Sequence, residues 1–166
     1  MTDDSLIDPE SAARVGTVAA RATGEVHRLQ WQRWAAAVGD HNPLWFDADY
    51  ARANGYDDVL CPPLFLQYAV LGVTSLDGLR PDGSSGAVSG GLAFPRAPRR
   101  MAGGETTTFH LPAYHRDDVE MVRTIASILE KNGRSGRFVL VEWQTSYRNQ
   151  RGELLAEATT SMIARP

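Results

Sequence analysis

Few residues in this 166-residue chain are of a type that does chemistry. Four histidines, His27, His41, His110 and His115, carry the side chain best suited to proton transfer near neutral pH. No two of them have the i, i+4 spacing that would put a ligand pair on one helical face. The single cysteine, Cys61, has no partner for a metal site or an internal disulfide. Cys61 also has no histidine beside it in sequence, so it reads as a small buried hydrophobe rather than a nucleophile. The G-x-S-x-G signature of a serine hydrolase is missing from the sequence. His110 and His115 flank Pro112 and read as solvated strand-end residues. Asp40 opens the run Asp40-His41-Asn42-Pro43, where Asn-Pro marks a turn. A carboxylate there can cap the turn or take a proton, and Asn42 can serve the turn as readily as a ligand.

The elements that must position these groups are legible in outline. Residues 1–8 read as a mobile tail, with a short helix around 11–14 and a strand over 23–29. Residues 30–38 (QWQRWAAAV) read as a helix with Leu29, Trp34 and Val38 on one face, ended by Gly39. Asp47 is an N-cap for a short helix that Gly55 closes. Pro62-Pro63 forces an extended entry into a second helix, residues 63–76, with Pro63 at its first position. That helix is apolar nearly all round, which marks it as buried. Residues 77–91 form a Gly/Ser/Asp/Pro-rich loop. Then the period changes to two, with strands over 105–111, 119–131, 137–147 and 153–164 joined by short turns. Helices first and an antiparallel meander after define an α+β domain, a sheet wrapped around one long central helix. The expected division is an N-terminal tail and short helix over 1–22 and one domain over 23–166.

Composition sets further bounds. The length suits one domain, with roughly two thirds of the extended-chain surface available for burial. Net charge is −3, which gives no electrostatic reason to expect nucleic acid. Lys131 is the one lysine among 17 basic residues. The acidic start, MTDDSLIDPES, lacks the pattern of a signal peptide, and no segment approaches a membrane span. A cytoplasmic protein with no membrane partner is expected.

The stretch Gly39-Asp40-His41-Asn42-Pro43-Leu44-Trp45-Phe46-Asp47 resembles the hydratase motif G-D-x-N-P-[LI]-H-x-D of MaoC-like enzymes. The runs Tyr50–Tyr56 and Val59–Pro63 continue that likeness. Arg99–Gly104, Phe109–Pro112, Gly133–Gly136 and Tyr147–Leu154 resemble later blocks of the N-terminal-type MaoC dehydratase domains. The resemblance covers roughly residues 20–165. It implies a hot-dog fold, dimerised with itself or with another hot-dog subunit, and a hydratase or dehydratase acting on an enoyl or 3-hydroxyacyl thioester. The thioester would be an acyl-CoA or an acyl-carrier-protein conjugate, with no cofactor.

In such chemistry a carboxylate takes the proton of a water, an imidazole assists, and hydrogen-bond donors meet the thioester oxygen. The resemblance assigns the carboxylate to Asp40 and an orienting role to Asn42, with His41 the adjacent imidazole. At the family's histidine position stands Trp45, whose indole is neither base nor useful acid. Pro63 stands where many members have a glycine whose N–H faces the thioester oxygen, and proline has no N–H. Leu64 N–H would donate from a shifted position. Trp45, Pro63, Leu64, Phe65, Gly103 and Gly104 are the expected substrate-binding residues, with Phe65, Leu66 and Ala69 lining a tunnel. Lys131, Arg134 and Arg137 around a hairpin turn could meet CoA phosphates. Both departures recur in MaoC-like subunits that hold the acyl chain while a partner supplies the Asp–His pair. A non-catalytic acyl-thioester-binding subunit is therefore the alternative. A thioesterase is a weaker one, because the second helix carries no Asp or Glu.

Overall fold

The computed structural model describes residues 4–72, 75–79, 81, 83 and 90–166. Five antiparallel strands form one sheet: β1 (Val18–Glu25), β2 (Arg99–Phe109), β3 (Asp118–Gly133), β4 (Gly136–Asn149) and β5 (Leu154–Arg165), in the order β1-β3-β4-β5-β2. Helices α1 (Pro9–Ala12), α2 (Arg28–Ala37), α3 (Ala48–Ala53) and α4 (Leu66–Val70) all precede β2. This is the α+β order expected from the sequence.

β4 sets the core. Its odd positions Val139, Val141, Trp143, Thr145 and Tyr147 are buried, as strict alternation requires of a strand with one covered face. β3 needs a correction halfway along to keep pace. Ile125 faces Trp143, but Ser127 faces Glu142, so Ala126 bulges out and the buried parity changes from Val119 and Ile125 to Ile128. One core cluster, around Trp31, Trp45, Phe65 and Leu155, lies under the helices. A second, around Leu92, Phe94, Ile125 and Val139, lies at the other end of the sheet.

Several elements differ from the sequence reading. β1 starts at Val18 and pairs with β3 from there, so a boundary at residue 22 would cut a strand of the sheet. Of the segment read as a mobile tail, the described residues 4–8 are held down. Leu6 is buried in the second cluster, its N–H donates to Glu130 Oε2 (2.9 Å), and Ser5 O accepts from Arg96 (3.0 Å). On α2 the buried pair is Trp31 and Ala35, while Leu29 and Val38 are exposed. Trp34, the third residue of the expected face, is only partly buried, packed against the same core cluster.

The central helical segment is shorter than residues 63–76. It opens as a 3-10 turn, Pro63–Phe65, and runs as α4 only to Val70, after which Leu71 is extended. Its Phe65, Leu66 and Val70 are buried, but Leu64 and Tyr68 stand exposed on the single chain. The helix comes so close to β1 that a Cβ on Gly24 would lie 1.7 Å from Ala69 O. Only glycine permits that approach. Most of the 77–91 loop lies outside the described residues.

Candidate functional site

Asp40 is placed by the end of α2. Gly39 takes a left-handed conformation (φ +74°), its N–H donates to Ala36 O (3.2 Å), and Asp40 N–H donates to Ala35 O (2.9 Å). This pair of bonds is a Schellman motif, and it fixes the backbone at which the loop leaves the helix. The next turn is equally constrained. Asn42 Oδ1 accepts from Leu44 N–H (3.1 Å), and Pro43 opens a 3-10 turn, Pro43–Trp45. Asn42 therefore spends its side-chain oxygen on capping.

These two constraints bring Trp45 back over Asp40. The indole Nε1–H donates to Asp40 Oδ2 (2.9 Å), and Asn42 N–H donates to Asp40 Oδ1 (3.2 Å). Each carboxylate oxygen thus has one donor. The indole is fixed in turn: Trp45 is buried, and its carbonyl accepts from Trp31 Nε1 (3.3 Å) and Gln32 Nε2 (3.1 Å). Asp40 itself is half-buried, and His41, next to it, is exposed.

Trp45 also forms part of the wall of a cleft of about 250 Å³. Leu44, Tyr56, Leu60, Cys61, Pro63 and Leu66 line one part of it, and the Phe109–Ala113 segment lines the rest. Backbone bonds hold these walls together, Leu60 N–H to Leu44 O (2.9 Å) and Cys61 N–H to Ala113 O (2.9 Å). Across Pro63, Leu66 and Phe109 lies a second hollow of only about 20 Å³, lined also by Leu64, Gln67 and Tyr147. Burial raises the Tyr147 phenol above its ordinary range. It also pushes the Cys61 thiol far up, with the Asp117 charge adding to the effect, so the thiolate a nucleophile needs is suppressed.

The expected site residues divide accordingly. Asp40, Asn42 and Trp45 come together, and Trp45, Pro63 and Leu66 reach the cleft. Phe65 turns the other way and packs on Trp34 and Tyr68 with ring centroids 5.9 and 6.1 Å apart, while Ala69 lies against β1. Neither lines the cleft. Gly103 and Gly104 sit at a bulge of edge strand β2 beside Ser161, where a Cβ on Gly103 would lie 2.5 Å from Ser161 Oγ. They are a backbone feature of the sheet edge, not part of the cleft wall. Arg137 is taken by the carboxylates of Glu130 and Asp4 (2.6 Å each), so its charge is already neutralised. Lys131 and Arg134 are exposed. His115 lies beside Trp31, with Nδ1 3.3 Å from Val26 O, and is not in the cleft wall. His110 is in the wall, and the sequence reading left it at a solvated strand end. Among the described residues no helix is long and apolar enough to cross a membrane.

Residues 13–158 match the family model described as FAS1-like, dehydratase domain region. The chain belongs to this family. This is the hydratase/dehydratase family of MaoC-like hot-dog proteins. A UPF0336 protein of Parafrankia sp. is 30% identical over 141 residues, 85% of this chain and 84% of that one. A protein of Thermomonospora curvata, named a probable enoyl-CoA hydratase alpha subunit, is 28% identical over 130 residues, 75% of this chain and 40% of that one. Among solved structures, the ChsH1–ChsH2 complex of Mycobacterium tuberculosis superposes with a TM-score of 0.72 at 18% identity, covering 93% of this chain and 88% of that one. That likeness carries the hot-dog fold.

Proposed function

We propose that this chain is an acyl-thioester-binding subunit of a hydratase or dehydratase, whose acid–base pair is completed by a second hot-dog subunit. The Trp45–Asp40 hydrogen bond carries the reading. Reversible addition of water to an enoyl thioester needs a base for the water and an acid for the α-carbon. Asp40 can be a base, but its neighbour at the motif position holds an N–H it does not release at neutral pH. The chain keeps the carboxylate and the loop but has no proton carrier at residue 45, where the resemblance expects one. The bare apolar positions on the helical segment, Leu64 and Tyr68, are exposed on the single chain and suit a covering subunit. The name alpha subunit on one relative, and the two-component complex among the solved structures, support this arrangement.

The experiment is direct. The purified chain is incubated with but-2-enoyl-CoA and oct-2-enoyl-CoA, alone and with a co-expressed hot-dog subunit carrying the complete Asp–His motif, and the enoyl absorbance is followed. Binding without turnover alone, and turnover above the partner's own rate when the two are mixed, is the expected result. Release of free CoA would instead point to thioester hydrolysis and end the proposal.

A further inference from the structure

An antiparallel sheet with one covered face is expected to be polar on the other. Along the middle of the outer face this holds: Thr124, Gln144, Thr159 and Thr106 form a polar row across β3, β4, β5 and β2. Beside the β3–β4 hairpin it fails. Leu129 pairs with Leu140, Leu140 with Ile163, and Ile163 with Met101, so four apolar side chains stand in a row across the strands. Residues paired directly across a ladder point to one side, and this row alternates with the buried Ile128, Val139 and Ala164, so its side is the outer one. Leu129 is 46% and Met101 53% exposed.

The border of this row is cationic. Toward the hairpin, Lys131 pairs with Phe138 and Arg165 with Arg99, and the Arg165 guanidinium lies 5.7 Å from the centre of the Phe138 ring. Arg165 Nη1 donates to Ser135 Oγ (2.8 Å), a neutral partner, and its Nε is buried with no acceptor. Lys131 and Arg134 are exposed, and among the described residues neither is in an ion pair. Glu130, beside Lys131 in sequence, pairs with Val139 on the core side and is taken there by Arg137. The chain as a whole carries a net charge of −3, so this positive border is a local departure.

An exposed apolar patch rimmed by charge marks a surface that another molecule covers. The rim selects an anionic occupant, and the row selects one with apolar side chains, which a phosphate backbone does not offer. The backbone groups of the strands beneath are already paired, so an added strand finds no partners there. Three strand spacings make the row about 14 Å long, the length of a helix of about ten residues. Such a helix presents three or four apolar anchors on one face. We propose that the outer face at the hairpin end docks an acidic amphipathic helix of a partner protein. Leu129, Leu140, Ile163 and Met101 receive its apolar stripe, and Lys131, Arg134 and Arg165 meet its carboxylates. Leu64 and Tyr68 belong to the helical segment on the core side of the sheet, so this surface is separate from the one used in the subunit reading above.

The probe is a labelled helical peptide of about 14 residues with a leucine stripe flanked by glutamates, titrated by fluorescence anisotropy. Wild type should bind it, with affinity falling as salt is raised. Met101→Ser with Leu129→Ser, and separately Lys131→Glu with Arg134→Glu, should each weaken binding about tenfold or more. All four positions are exposed, so thermal melts should match wild type. Gln144→Ser, in the polar part of the same face, should change nothing. A peptide with serine for leucine, or lysine for glutamate, should fail to bind. No binding by wild type, or binding unchanged in both double variants, overturns the proposal. So does equal binding of the lysine peptide. Vesicles of phosphatidylcholine and phosphatidylglycerol are the second arm, and sedimentation of the chain alone is the third. Vesicle binding without peptide binding would assign the face to a membrane. Self-association that disappears in Met101→Ser with Leu129→Ser, again without peptide binding, would assign it to a second copy. Either result overturns the proposal.

Discussion

The indole Nε1–H of Trp45 donates to Oδ2 of Asp40 at 2.9 Å, so a residue without acid–base capacity holds this carboxylate. Geometry at this loop is that of a dyad, with a donor from a ring five residues on. Its chemistry is not, because indole gives no proton away.

Removing that N–H while keeping a ring isolates its contribution. Trp45→Phe should lower stability by about 2–3 kcal/mol, from the lost charge-assisted bond on a half-buried carboxylate and the smaller ring in a buried position. A double-mutant cycle with Asp40→Asn, read by urea unfolding, should return a coupling of about 1 kcal/mol. Additive effects would mean that the bond contributes nothing in solution.

Gly24 gives a severe case with its own control. A methyl group there would meet Ala69 O at 1.7 Å, and either β1 or α4 must move, whereas Gly72 has nothing within 4 Å of an added Cβ. Gly24→Ala should destabilise by more than about 3 kcal/mol, and Gly72→Ala should stay within about 0.5 kcal/mol. Thermal melts of the two variants decide this.

Acid should release the N-terminal segment before it unfolds the sheet. The Glu130 carboxyl is held below its ordinary range first by its bond to Arg137 and then by the N–H of Leu6. Its folded value is lower than its unfolded one, so the contribution to stability is complete above the ordinary value of 4.5 and is lost as pH falls through the lowered folded value. Hydrogen exchange at Leu6 should accelerate in that acid window, and Glu130→Gln should show fast exchange at Leu6 even at neutral pH.

Cys61 should be inert. Burial holds the thiol protonated, and the residue is 4% exposed. Reaction with an aromatic disulfide reagent should be slow in the native protein and fast in urea, and Cys61→Ala should bind acyl-CoA as the wild type does. Rapid native labelling would contradict the packing of the cleft wall.

Local signals carried the parts of the fold that were legible from sequence. Alternation along β4, the stop at Gly39 and the Asp47 cap, whose side chain accepts from Asp49 and Tyr50 N–H, needed no distant partner. The end of α4 was missed because Leu71 continues the apolar run, although Gly72 just beyond was a stop signal. The anchoring of Leu6 was missed because only Leu6 and Ile7 interrupt a polar, acidic stretch. The bulge at Ala126 has no residue signature, and without it the parity of β3 cannot be assigned. At the site, Asp40 and Trp45 stood out by spacing. Their bond, however, depends on how a Schellman exit and a 3-10 turn combine in space. His110 and Glu157 lie 47 residues apart and meet only through the register of β2 on β5.

The sharpest test is the fate of oct-2-enoyl-CoA with the purified wild-type chain alone, followed by loss of the enoyl absorbance beside a calorimetric binding measurement. Saturable binding with no hydration above the uncatalysed rate is what an indole-clamped Asp40 predicts. Hydration by the lone chain that disappears in Asp40→Asn would contradict it, since the carboxylate would then be working without the partner that Trp45 makes necessary.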